Sequence, residues 1–421
     1  MPFASLGLNP TLAHAAAHAG YSEPTPVQTA AIGPILNGLD LLACAQTGSG
    51  KTVAYALPLL QQVMAGPSHT PRRVRALILV PTRELAAQAG EVLRSLAQHL
   101  PAPIKTAIVF GGVSINPQMM GLRGGADIVV ATPGRLLDLV AHNALKLGPV
   151  QTLVLDEADR LLDLGFAEEL QRVLALLPAQ RQNLFFSATF APEVQALADS
   201  MLQAPLRFDI AGSEGGAGSE PAIMQRAIAV DTAQRTPLLR HLAKKLSGKR
   251  MLVFVATQYS AELVAEKLYK SGIFAAPFHG GLSQGARQQV LDEFKASRWD
   301  IVVTTDLAAR GIDIAQLPVV VNYDLPRSAT DYLHRIGRTG RAGEPGLAIS
   351  FVSADSEAHF ALIQKRQHLS LPLEVLQGFE PTPNTPAPVA GTGNGGVKGK
   401  RPSKKDKLRA AANPAGTLLI Q

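Results

Sequence analysis

The chain has 421 residues, 46% hydrophobic and 17% charged, enough for packed cores and, at roughly 150 residues per domain, for two or three domains. Its apolar runs stay well short of the ~18 residues a membrane helix needs, and no basic-plus-apolar leader pattern is present, so neither a span nor a secretory leader is expected. The single cysteine, Cys44, excludes an intrachain disulfide and suits a reducing cytoplasm, and no Cys/His spacing matches a zinc site.

Cys44 sits in an apolar run, where a small buried hydrophobe is a better reading than a reactive thiol. The net charge of +7 is uneven. From Pro381 onward seven Lys/Arg (Lys398, Lys400, Arg401, Lys404, Lys405, Lys407, Arg409) face one acid, Asp406, so the preceding 380 residues are nearly neutral. A basic, Pro/Gly-rich tail reads as disordered and drawn to polyanions; a solubilising end without a partner is the alternative.

Short apolar runs recur, each ending in small or polar residues and followed by a helical pattern. In the first half they are LDLLACA (39–45), RALILVPT (75–82), TAIVFGG (106–112), ADIVVATP (126–133), TLVLDEAD (152–159) and NLFFSAT (183–189). A stretch with four glycines and no large apolar residue, AGSEGGAGSE (211–220), has linker chemistry. Then come RMLVFVAT (250–257), AAPFHGG (275–281), DIVVTTD (300–306), PVVVNYDLP (318–326) and GLAISFVS (346–353). Continuous apolar strands alternating with helices predict parallel sheets buried on both faces. Two α/β domains are therefore expected, 1–210 and 222–375, joined by a flexible linker at 211–221 and followed by a tail at 376–421.

Open parallel sheets bind ligands beyond the carboxyl ends of their strands, so the polar residues ending these runs carry the functional reading. The first run leads into Ala45, Gln46, Thr47, Gly48, Ser49, Gly50, Lys51 and Thr52. Glycines at 48 and 50 let the backbone amides face an anion at the next helix N-terminus. Lys51 would reach the β/γ-phosphates of a nucleotide and the Thr52 hydroxyl would hold Mg²⁺. The strict pattern has glycine at the first position, where this chain has Ala45.

The run TLVLDEAD ends in three carboxylates within four residues, which repel unless a cation is expected there. Asp156 fits a magnesium-holding acid and Glu157 a residue that orients and deprotonates the attacking water. Asp159 also suits a helix cap.

Asp156-Glu157-Ala158-Asp159 spells DEAD, and about a dozen elements in order over residues 3–375 resemble the DEAD-box family of ATP-dependent RNA helicases. The resemblance implies two tandem RecA-like domains flanking a cleft, with ATP and Mg²⁺ as cofactors and RNA as partner. GYSEPTPVQ (20–28) resembles the adenine-reading element, with Gln28 on the adenine edge, Tyr21 near the ring where the family usually has Phe, and Phe3 as the isolated upstream aromatic. Pro81, Thr82 and Arg83, then Gly111 and Gly112, then Thr132, Pro133, Gly134 and Arg135 resemble RNA-backbone contacts of the first domain, which position a strand without reading its sequence. Arg83 as an ion-pair partner of Glu84 is the plainer alternative. Ser187, Ala188 and Thr189 resemble the element linking ATP state to RNA state through the DEAD aspartates, although small hydroxyls at a strand end also suit a turn.

In the second domain Gln284, Arg287 and Thr304 or Thr305 match family RNA contacts, and Gly311 and Asp313 match the nucleotide side, Asp313 toward the ribose. HRIGRTGR (334–341) places Arg335, Arg338 and Arg341 every third residue, a dense cationic face with no interleaved acid. By the family, Arg338 and Arg341 are arginine fingers on the γ-phosphate, while His334 and Arg335 couple the motifs. The segment GFEPTP (378–383) before a basic tail is similar to bacterial RhlE-type helicases. The expected function is ATP-driven RNA binding with local duplex unwinding or remodelling of RNA–protein complexes, the tail adding RNA affinity and ribosome-assembly or RNA-decay proteins as possible partners. A DNA translocase and an ATP-gated RNA clamp or assembly scaffold are the rival readings.

Overall fold

The computed structural model describes residues 2–45, 48–210, 223–309, 317–340 and 345–382. The linker, the tail from 383, and the candidate residues Gln46, Thr47, Gly311, Asp313 and Arg341 lie outside them.

The first domain holds seven parallel strands: β1 (Leu41–Cys44), β2 (Ala76–Leu79), β3 (Thr106–Val109), β4 (Ile128–Ala131), β5 (Thr152–Asp156), β6 (Gln182–Ser187) and β7 (Leu206–Asp209), in the order β3-β4-β2-β5-β6-β1-β7. The second holds β8 (Ile223–Ala229), β9 (Met251–Phe254), β10 (Ala275–Phe278), β11 (Ile301–Thr304), β12 (Val319–Asn322), β13 (Gly346–Val352) and β14 (Leu373–Glu374), in the order β10-β11-β9-β12-β13-β8-β14. These are the two tandem RecA-like domains.

Each sheet is covered on both faces, which is why its central strands are apolar throughout rather than alternating. Consecutive side chains still point to opposite sides. Ile78, Val130, Val154 and Phe186 join one core cluster of the first domain, while Leu77, Leu79, Val129, Leu153, Leu155 and Phe185 join the other. All eleven runs named above contain a strand. The sequence reading missed β7, β8 and β14. The first is largely exposed, the last is a two-residue edge, and β8 carries Gln225 and Arg226 in its middle. Arg226 forks onto Glu374, Nε to Oε1 at 3.0 Å, pinning β14 to β8.

Residues 376–382, which the sequence assigns to the tail, pack on the second domain instead. Leu376 and Phe379 lie against its core, the Phe379 ring is 5.5 Å from His241, and Thr382 bonds Asp231 through both backbone and hydroxyl. Among the described residues no helix is long and apolar enough to cross a membrane.

Candidate active site

The glycine loop follows β1 as expected. Gly48 and Gly50 have φ of 88° and 94°, and the helix Lys51–Ala65 begins directly after them. A Cβ on Gly50 would come within 2.5 Å of the Gln28 amide nitrogen, so glycine is needed for close approach as well as for φ. Lys51 is buried, and its ammonium donates to the Ala45 carbonyl at 2.9 Å. Gln28 joins its own segment to the loop: Oε1 accepts from Thr25 N at 2.9 Å and Nε2 donates to the Gly50 carbonyl at 3.2 Å. Each end of the amide thus has one backbone partner, and its second lone pair and second N–H are left for an adenine edge. Phe3 is 2% exposed and packs in the core, with Tyr21 half-buried against the same cluster.

Asp156 closes β5 and is buried. Its Oδ2 accepts from the Tyr55 hydroxyl at 2.9 Å, and its Oδ1 has no partner. Burial raises its pKa to about 6 against the opposing pull of Lys51. An orphaned buried carboxylate oxygen, on a residue that shares the Tyr55 hydroxyl with Thr52, fits a hard cation such as Mg²⁺, which takes one or two protein oxygens and completes its shell with phosphate and water. Glu157 sits in the left-handed region at φ 53°, unusual for a non-glycine residue. Its Oε2 accepts from Arg160 Nη1 at 2.6 Å within buried surroundings. Burial alone would raise its pKa; Arg160, then Lys51, Arg338 and His334 outweigh it and hold the carboxyl below its ordinary range.

Asp159 meets the Ser187–Thr189 element directly. Thr189 Oγ1 donates to its Oδ2 at 3.2 Å and its backbone N–H donates to Ser187 Oγ at 3.4 Å. The Ala188 carbonyl accepts from Cys44 Sγ at 3.3 Å, and burial pushes that thiol to about 12, which makes it inert.

The second domain closes against these groups. Arg160 shares a small cavity with Asp306, Asp331, His334, Arg335 and Arg338. Burial and then Arg160 push His334 down to about 4, so its imidazole is neutral. The expected single cationic face does not form. The helix Ala329–Ile336 ends at Gly337, so Arg335 and Arg338 diverge. Arg335 turns into its own domain, forked onto Asp306 at 2.5 and 2.7 Å and donating to the Asp324 carbonyl at 2.6 Å, whereas Arg338 faces Glu157.

The RNA candidates sort by what already engages them. Arg287 spans the cleft to Glu84 at 2.8 Å with both side chains buried, so it bridges domains, and Glu84 is paired there rather than to Arg83. Arg83 instead lies over Gly112, where a Cβ would come within 1.9 Å of its guanidinium. Thr82 caps the helix Arg83–Ala97, accepting from Leu85 N at 3.3 Å, with Pro81 before it. Thr132 accepts from Gly111 N at 3.3 Å ahead of Pro133 and Gly134. Two further candidates have partners within their own domain. Arg135 is buried and donates to the Val113 carbonyl at 2.7 Å, which needs a donor where the chain leaves Gly112. Thr304 is 0% exposed, its hydroxyl bonded to the Thr305 carbonyl at 3.2 Å, which leaves Thr305 as the better placed of the two. Gln284 is half-buried, with Oε1 unpaired. Tyr55 and Arg160 were not anticipated, and Glu84 was read only as a partner of Arg83.

Family profiles match residues 25–197 as DEAD/DEAH box helicase and residues 234–343 as helicase conserved C-terminal domain. ATP-dependent rRNA helicase rrp3 of Sclerotinia sclerotiorum is 40% identical over 352 residues, 83% of this chain and 71% of the relative. The chain belongs to the DEAD-box helicases. It spans 45% and 64% of the length of two plant members from rice and Arabidopsis thaliana. Among solved structures, Saccharomyces cerevisiae Dbp5 bound to RNA and ADP BeF3 superposes with a TM-score of 0.78 at 30% identity, over 89% of this chain and 95% of that one. A point variant of Dbp5 bound to nup159, a gle1 variant, ip6 and ADP gives 0.59 at 29% identity, over 90% of this chain and 96% of that one.

Proposed function

We propose that this DEAD-box chain is an RNA-dependent ATPase that grips an RNA backbone across both domains when ATP closes the cleft, separating short duplexes or remodelling RNA–protein complexes. One observation carries the reading: Arg338 and His334 of the second domain line one cavity with Arg160, the ion-pair partner of Glu157 in the first, across a cleft that the Arg287–Glu84 pair also bridges. The relative disposition of the domains supports it, since the same yeast relative fits better with RNA and ADP BeF3 bound than with ADP, nup159, gle1 and ip6.

In this reading Lys51 leaves the Ala45 carbonyl for the β/γ-phosphates, and Gln28 ties adenine recognition to the shape of the glycine loop. Thr52 and Asp156 would hold Mg²⁺, which would supply charge neutralisation on the phosphates. Glu157 orients the attacking water and accepts its proton. Arg338, joined by Arg341, meets the charge that develops on the transferring phosphoryl. Asp313 takes the ribose. Three helix N-termini, at Thr82, Thr132 and Ser283, present amides to RNA phosphates, with Arg83 and Gln284 beside them. The Asp159–Thr189 contact joins the two halves of the cycle.

The basic residues after 383 extend the RNA footprint, so truncation at Gln377 is expected to flatten the salt dependence of RNA binding. The fungal relative is named an rRNA helicase, which makes ribosomal RNA and assembly factors the first candidates. A cytoplasmic placement rests on Cys44 alone, and a bacterial RhlE-type assignment on the 378–383 segment alone, against relatives from plants and fungi.

The test is steady-state ATP hydrolysis without nucleic acid, with single-stranded RNA and with DNA of the same sequence, for the wild type and Glu157→Gln. Stimulation by RNA only, lost in the variant by about 10²–10⁴-fold, is the expected result. Equal stimulation by DNA would replace the reading with a general nucleic-acid motor.

A further inference from the structure

We infer that Tyr55 is a positioning residue for the cation: its hydroxyl holds one oxygen of Asp156, and so presents the other oxygen to magnesium. The inference rests on the ATPase reading above and adds to it a residue that neither the sequence pattern nor the family resemblance singled out.

Tyr55 lies one turn after Lys51 on the same helix, so both side chains leave the same face toward β5. It is 0% exposed, with its ring tilted against Phe186 at 5.4 Å. A phenol buried that deeply requires a partner for its hydroxyl. The partner is Asp156 Oδ2 at 2.9 Å, and a second side-chain hydrogen bond ties the same hydroxyl to Thr52. Tyr55 therefore touches both residues to which the cation is assigned.

A carboxylate with one donor on each oxygen would be engaged on both sides; one with no donor would rotate to follow Lys51. Here the Tyr55 hydroxyl is the side-chain donor that fixes the plane, and it leaves Oδ1 buried with no side-chain donor of its own. Hydrogen bonds to a metal-holding carboxylate orient it, and their removal typically costs about 10- to 100-fold in metal affinity. Tyrosine does this from inside the core, where phenylalanine would fill the same space without the donor.

The experiment uses the full chain. Thermal unfolding is followed with ADP in EDTA and then with ADP across a magnesium chloride titration, for wild type, Tyr55→Phe and Phe186→Leu. Tyr55→Phe is expected to match wild type with ADP in EDTA but to need about 10- to 100-fold more magnesium for half of the added stabilisation. Phe186→Leu, which disturbs the same packing and keeps the hydroxyl, is expected to lower the unfolding midpoint with an unchanged magnesium requirement. An unchanged requirement in Tyr55→Phe, or an equal shift in Phe186→Leu, overturns the inference while leaving the ATPase reading in place. A wild type that gains nothing from magnesium with ADP overturns both.

Discussion

Adding seven to each strand number of the first sheet generates the second: β3-β4-β2-β5-β6-β1-β7 becomes β10-β11-β9-β12-β13-β8-β14, parallel throughout. The equivalent strand ends nevertheless do opposite things. After β1 come Gly48, Gly50 and Lys51; after β8 come Asp231, a short turn Thr232–Gln234 and Arg235. At the end of β5 Asp156 keeps an unpaired oxygen, whereas just past β12 Asp324 receives Arg235 Nη1 at 2.6 Å. In the second domain the cation after the first strand and the acid after the fifth bond to each other, which fills the place a phosphate and its metal would take. Shared topology thus positions a site in both domains, but the phosphate-loop pattern and the acid with a free oxygen belong to the first alone among the described residues. The other contributes arginine across the cleft.

The comparison breaks most readily at Arg338. If the second domain's role in hydrolysis is to supply charge, Arg338→Ala should lower RNA-stimulated ATP turnover by about 10³–10⁵-fold while binding of ADP, which lacks the γ-phosphate that Arg338 serves, stays within about twofold. Stopped-flow phosphate release and ADP titration separate the two. A parallel loss of both would mean that the nucleotide site is shared from the first encounter.

A smaller effect sharpens the other half. Asp324→Asn removes the charge that engages Arg235, a structural pair on this view, and should cost about 1–3 kcal/mol of unfolding free energy by leaving a largely buried guanidinium under-satisfied. ADP affinity should not move. A drop in ADP affinity measured on the same sample would show that the second domain's strand end still serves a phosphate.

Much of this architecture was legible because parallel strands buried on both faces must be apolar along their whole length, and their ends must then turn polar. The edge strands β7 and β14 face solvent on at least one side, so nothing in their composition marks them. In the site, residue type and spacing located the strand ends but not which neighbour engages each group. Arg335 and Arg338 look alike in the sequence, three residues apart, yet Gly337 ends the helix between them and Arg335 is taken up by Asp306 and the Asp324 carbonyl of its own domain. Thr304 and Arg135 were read as ligand contacts because hydroxyls and guanidinia can be such; burial gave each a partner within its own domain. Tyr55 drew no reading from the sequence, although a signal was there: a hydroxyl one turn from the phosphate lysine in an otherwise apolar helix, where burial requires a partner for it.

His334 offers the subtlest separation, because it belongs to the second domain but the largest charge acting on it, Arg160, belongs to the first. Burial lowers its pKa to about 4, helped by Arg160 and Arg338 and opposed by Asp159 and Asp331. Arg160 and Asp159 come from the first domain, so in an open cleft the imidazole returns toward its ordinary value of about 6.5. A base with a depressed pKa in the closed state disfavours that state once the open one takes up a proton. Closure is therefore undiminished above about pH 6.5 and weakens as pH falls toward about 4. RNA affinity with a non-hydrolysable ATP analogue should drop about tenfold between about pH 7.5 and pH 5.5 through this group. His334→Gln, neutral throughout, should remove that part of the slope. Asp156, with its own pKa of about 6, leaves a residual dependence in both proteins. The difference between them isolates His334, and parallel profiles would place the imidazole outside the closing contact.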